Sequence, residues 1–316
     1  MTSPFTTTAL GLCGPLRQPR QMLADQTYDD HKSIHDDATA ETLGLRAGPI
    51  EGPTHFSQFD PLLLHVFGQA WFETGCISAH YQNMVVEGES VRAFVDLPAP
   101  GATFVRLRAE KADGTPVLTG TASVGDADQH PHELPQRIAK LRPAQGLVIN
   151  RDLRVGQRGA VVEKIRMGFD QHMGDHYPFT LADKLKVITE PCDWYTAEGG
   201  KRSPWGRAII PTEMISVLLG STSAEAQLNG RKPAVGLFAG QEIRLIKGPL
   251  FVDQDYELER EIIALSESAR TESVWVRTQV YEMPSRTLVA EMILNGATMK
   301  ASYPHYEAEA KELGLA

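Results

Sequence analysis

Asp30 and His35 stand five residues apart, just upstream of a Gly/Pro-rich loop that opens a helical run at Pro53-Thr54. A carboxyl and an imidazole exchange protons near neutral pH, and free backbone N–H groups at a helix start stabilise an oxyanion. The stretch from 30 to 56, DHKSIHDDATAETLGLRAGPIEGPTHF, therefore reads as a site for proton transfer beside a stabilised oxyanion, with Asp30 and His35 as the acid/base pair. The spacing alone carries no weight, because 10 His and 40 acidic residues give about one such pair from composition. Its position directly before the loop and helix is what singles it out.

The helix start supplies the other candidates. Gly52 lets a substrate carbonyl approach the backbone closely. Free N–H groups from Gly52 to His55 would receive negative charge on that oxygen, or the Gly-Pro-Thr sequence is simply a helix cap with Thr54 in its first turn. His55 reads either as a second acid/base or substrate hydrogen bond, or as a satisfied, partly buried histidine. His31 reads as solvated, and Asp36 and Asp37 as early-turn acids of a short helix leading to Leu43. His172 and His176 have a metal spacing only on a helix, and Gly174 between them argues for a loop, so no metal site is expected.

The elements that position these residues show as a repeat. Gly48-Pro49-Ile50-Glu51-Gly52-Pro53-Thr54 lies over Gly206-Arg207-Ala208-Ile209-Ile210-Pro211-Thr212, an offset of 206 − 48 = 158 residues. Each copy leads into an apolar helix, FSQFDPLLLHVFG or MISVLLGS, with Pro tolerated in its first turn. Alternating β-branched and aromatic runs with short turns then follow in both halves, which reads as one helix and about three long antiparallel strands per half. The units are 1–125 and 158–316, joined by a polar, Pro-containing linker at 126–157. The N-terminus reads as a strand or irregular arm, and YEAEAKELGLA at the C-terminus as a short solvated helix or frayed tail.

Composition sets outer limits. The chain has 316 residues, 42% hydrophobic and 22% charged, ordinary for a globular protein with a sizeable core, and the helix followed by antiparallel strands in each half makes its fold class α+β. A formal charge of −9 argues against a broad nucleic-acid or anionic-membrane surface. Cys13, Cys76 and Cys192 form no disulfide or zinc pattern and point to a reducing cytoplasm. No apolar run reaches the roughly 20 residues of a membrane span, and the N-terminus lacks a secretory pattern. No phosphate loop, nucleophile elbow or dinucleotide fingerprint occurs.

The duplicated layout and the motif text resemble the MaoC-like, (R)-specific enoyl-CoA hydratase family. Asp30 and His35 occupy its acid and base positions, and Ala47-Gly48-Pro49-Ile50 matches its loop. Lys32 and Ser33 stand where the family has Asn and Pro, and Gly52-Pro53-Thr54-His55 replaces its His-Gly. The resemblance implies a double hotdog fold and cofactor-independent, reversible hydration of a 2-enoyl thioester carried by CoA or an acyl carrier. A thioesterase or a non-catalytic acyl-binding subunit are the alternatives, and dimerisation is a family expectation. The offset of 158 puts His35 on Asp193 and Asp30 on Ile188, so the second half lacks the dyad. That half is expected to accommodate the acyl chain, with Trp194, Tyr195 and Trp205 lining the space, and Lys201, Arg202 and Arg207 near its helix start as candidates for an anionic group.

Overall fold

The computed structural model describes residues 5–9, 11–28 and 31–315. In chain order, β1 (Thr6–Thr8) and β2 (Gly11–Cys13) form the expected N-terminal strand arm, followed by the short hairpin β3 (Thr27–Tyr28) and β4 (His31–Lys32). Next come α1 (Asp37–Thr42), a 3-10 helix over Gly52–Phe59, α2 (Asp60–Phe67) and α3 (Ala70–Thr74). Four strands complete the first half: β5 (Gly75–Tyr81), β6 (Val91–Asp96), β7 (Phe104–Lys111) and β8 (Pro116–Val124). The second half brings α4 (Glu133–Ile138), β9 (Glu163–Ile165), α5 (Leu181–Leu185), α6 (Ala197–Gly200) and α7 (Thr212–Gly220). Its long strands are β10 (Gly236–Leu245), β11 (Tyr256–Glu267), β12 (Thr271–Glu282) and β13 (Thr287–Met299), and α8 (Tyr306–Glu312) closes the chain.

One antiparallel sheet of eleven strands runs in the order β1-β2-β6-β7-β8-β5-β10-β13-β12-β11-β9. In each half the first strand after the helix pairs with the last strand of that half: β5 with β8, β10 with β13. The two first strands then pair with each other, Ile77 opposite Ile243, and join the halves about a pseudo-two-fold axis. Burial explains the strand patterns. In β11, YELEREIIALSE begins with strictly alternating buried and half-buried residues, as a sheet with one covered face requires. The five residues from Gly75 to Ala79 in β5 are all buried, because that strand lies at the join.

After its main helix each half therefore carries four strands rather than about three. The first apolar stretch of each half folds back on itself, with bends at 82–90 and 246–255. The helix of the first half is also broken. It opens as a 3-10 turn from Gly52 and becomes α-helical only at Asp60, with Pro61 seated in the first turn of α2. Against it packs α7, in which every residue from Thr212 to Leu219 is buried. Phe56, Phe59, Leu62 and Leu63 join Met214 and Leu218 in the core. Each contributes roughly 1.5–3 kcal/mol through removal from water.

The segment 126–157 is more ordered than its polar composition suggests. Leu134 of α4 is fully buried, and its N–H donates to Ser78 Oγ (2.9 Å). Further on, Val148 and Asn150 N–H groups donate to the buried Glu272 carboxylate at 2.8 and 2.9 Å. No helix among the described residues is long and apolar enough to cross a membrane.

Candidate active site

A cavity of about 420 Å³ opens between the halves, a size suited to a small organic ligand. His35, Glu51, Gly52, His55 and Tyr81 face it from the first half. The second half contributes an apolar wall that includes Leu237, Phe238, Val274, Val276 and Leu294. Asp30 lies outside the described residues.

His35 is held by its own loop. Asp36 caps α1 by accepting from Thr39 N–H at 2.9 Å, which fixes the chain directly after His35. His35 Nδ1 lies 2.5 Å from the Pro49 carbonyl oxygen. A carbonyl only accepts, so Nδ1 carries the proton and Nε2 keeps its lone pair. Burial holds the imidazole neutral by lowering its pKa to about 4, against the opposing pull of that carbonyl bond. The result is an oriented base with one free nitrogen.

The loop that receives His35 is tight. Gly48 has no room for a side chain, because a Cβ there would sit 2.1 Å from the His35 carbonyl oxygen. Its N–H donates to Asp37 Oδ1 (2.8 Å), Gln21 Nε2 donates to Pro49 O (2.7 Å), and Ile50 N–H donates to Val85 O (2.7 Å). Asp37 thus has a second role beyond starting a helix. At the helix opening Pro53 has no N–H, and Thr54 N–H donates to Glu51 O (3.1 Å), which leaves Gly52 N–H as the donor that can meet a ligand. Thr54 is buried away from the cavity, beside the Lys184–Glu213 ion pair.

His55 is buried and lines the cavity, with Gln58 Nε2 3.3 Å from its Nδ1. With Gln58 donating, His55 Nε2 carries its proton and faces a ligand as a donor. Burial first, then Lys184 and Lys111, lower its pKa to about 4. Two polar groups on the wall have no partner among the described residues: the Tyr81 hydroxyl, and both amide atoms of Asn150, a residue only 1% exposed. Such groups are costly unless a ligand or water meets them.

Glu51 was not among the residues singled out by sequence. It lines the cavity, and its Oε1 accepts from Tyr177 OH at 3.1 Å. Burial raises its pKa to about 7; the Tyr177 bond and Lys184 pull down and Glu213 pushes up.

The second half is arranged differently from expectation. Ile50 N–H donates to Val85 O as Ile210 N–H donates to Leu250 O, and Asp36 caps α1 as Thr196 caps α6. These pairs give an offset of 196 − 36 = 160, whereas Pro53-Thr54 and Pro211-Thr212 remain 158 apart. His35 therefore corresponds to Tyr195 rather than Asp193, and Asp30 to Glu190 rather than Ile188. Glu51-Gly52 is a two-residue insertion with no counterpart in the second half. Tyr195 is buried and donates to Asp60 Oδ2 at 2.9 Å. Trp194 and Trp205 pack edge-to-face, with Phe72 against both. Arg207 lies over the Phe251 ring and reaches Gln254. None of these residues lines the cavity. His176 does line it, from a loop in which Gly174 has φ +87.

No family model matches the chain, and no curated protein matches it. Solved structures do. A protein from Chloroflexus aurantiacus described as a MaoC domain dehydratase is 14% identical, with 94% of this chain and 98% of that one covered at a TM-score of 0.58. A MaoC-like dehydratase is 16% identical over 92% and 98%, at 0.52. A Mycobacterium tuberculosis protein with a double hotdog fold is 12% identical over 92% and 96%, at 0.51. At such identities the likeness establishes the fold, a double hotdog.

Proposed function

We propose that this protein is a hydro-lyase that reversibly hydrates a 2-enoyl thioester to the 3-hydroxyacyl thioester. The observation that carries the reading is His35, fixed by the Pro49 carbonyl with Nε2 free, in a cavity whose far wall is apolar. The thioester carbonyl lies at Gly52, where the N–H receives the negative charge that develops on its oxygen. His35, the base of the Asp30/His35 pair read from the sequence, holds a water and removes its proton as the oxygen adds to the β-carbon. The acyl chain extends along Leu237, Phe238 and Val274, and the CoA or acyl-carrier portion leaves through the cavity mouth. The MaoC-like dehydratases among the structural neighbours support this class of chemistry.

A carboxyl group in the cavity also suits a thioesterase, in which it directs water at the thioester carbonyl. The two readings separate in one assay. Crotonyl-CoA and a longer 2-enoyl-CoA are followed by enoyl absorbance and by free thiol. Loss of the enoyl band without thiol release is the expected result; thiol release moves the protein to the thioesterase class.

A further inference from the structure

We propose that Glu51 is the second proton-transfer group of this cavity, giving a proton to the α-carbon while His35 takes one from the adding water. The inference rests on the hydration reading above. Addition of water takes one proton from the water oxygen as it bonds to Cβ and delivers one to Cα, so one oriented base is half of the machinery. Glu51 lies two residues beyond the carbonyl that holds His35, on the same clamped loop, and lines the same cavity. It directly precedes Gly52, the residue offered to the thioester oxygen. Together these two residues form the insertion that the non-catalytic half lacks.

The surroundings suit a carboxylic acid. Tyr177 OH occupies Oε1, leaving Oε2 for a ligand. The phenols of Tyr28 and Tyr81 also feel the Glu51 charge, and Lys184 and Glu213 oppose each other on its far side. Burial is the largest influence and keeps the proton on Glu51 up to about pH 7.

The step balances. The water oxygen bonds to Cβ as its proton passes to His35 Nε2. The C=C π electrons move to Cα and form a C–H bond with the Glu51 proton, leaving a carboxylate. Return of one proton from His35 to Glu51 through solvent resets the site. No oxidant or cofactor takes part.

The test uses the whole protein with crotonyl-CoA. Glu51→Gln, close in size but unable to give its proton as an acid, is expected to lower kcat roughly 100-fold or more, with KM within about threefold. A kcat within about threefold of wild type overturns the proposal while leaving the hydratase reading intact. A wild-type protein inert toward crotonyl-CoA and longer enoyl thioesters removes that reading and the proposal with it. Should Glu51→Gln misfold, the wild-type pH profile decides: activity falls as pH rises through about 7. Tyr177→Phe, which removes a bond that favours the carboxylate, moves that limb upward. A flat profile from pH 6 to 9, or a limb unmoved by Tyr177→Phe, overturns the assignment.

Discussion

Gly52→Ala adds one methyl group at the point where the helix opening meets the cavity. A Cβ there would lie 2.5 Å from Tyr81 Cζ and 2.7 Å from both Cε atoms. An ordinary contact needs at least 3.4 Å, so ring and loop must separate by 3.4 − 2.5, about 0.9 Å. Gly52 is not among the glycines with positive φ, so backbone conformation adds nothing to the cost. Neither side can move freely: Tyr81 packs near Phe56, with ring centroids 6.3 Å apart, and the loop is held at Pro49 and Ile50. A misplacement of about 1 Å costs on the order of 100-fold in rate, and overpacking costs about 1–3 kcal/mol of stability. Gly52→Ala is therefore expected to fold, to melt a few degrees lower, and to hydrate crotonyl-CoA about 100-fold more slowly. Thermal melting and initial rates by enoyl absorbance measure both. A folded variant with a rate within threefold of wild type would refute the placement of Gly52 against the reacting carbonyl.

Three further outcomes follow from buried groups. The Arg260 guanidinium bonds both Glu163 oxygens at 2.7 and 2.9 Å, and both side chains are almost fully buried. Glu163→Ala leaves that charge unpaired and should cost about 3–5 kcal/mol in denaturant unfolding. Asp60 accepts from Trp71, Tyr195 and Thr212, yet burial raises its pKa to about 7. An acid raised in the folded state contributes stability below its unfolded pKa, lost as pH rises through about 7. Asp60→Asn cannot titrate, so the difference in melting temperature between pH 5 and pH 8 should shrink. His35 stays neutral down to about pH 4, so the hydration rate should show no loss between pH 7 and 5 of the kind an ordinary imidazole would cause. A rate that halves as the pH is lowered through about 6.5 would contradict that environment.

Much of the fold is legible in the sequence because two period signals repeat in the same order. Alternation marks the strands, and a Pro-Thr opening before an apolar run marks each helix. The turns at 82–90 and 246–255 escape notice because each follows a strand without a clean break in apolar character. His35 and Gly52 are legible through their place before and at a helix start. Glu51 is not, because a repeat aligned on Pro-Thr hides an insertion immediately before it. The same misalignment put Asp193 in place of Tyr195. Trp194, Tyr195 and Arg207 have the residue types of a binding wall, but whether an aromatic cluster is wall or core depends on tertiary packing. The real wall, Leu237 and Phe238 with β12 and β13, depends on the pairing of β10 with β5, which no local pattern encodes.

In the proposed reaction His35 is the base that hydrates an enoyl thioester in this cavity. The most direct measurement is turnover of crotonyl-CoA by wild type and His35→Asn, with enoyl absorbance and free thiol followed together. Wild type is expected to lose the enoyl band without releasing thiol, and a folded His35→Asn protein to be slower by roughly 100-fold or more. A His35→Asn protein as active as wild type, or thiol release at the rate of enoyl loss, would contradict it.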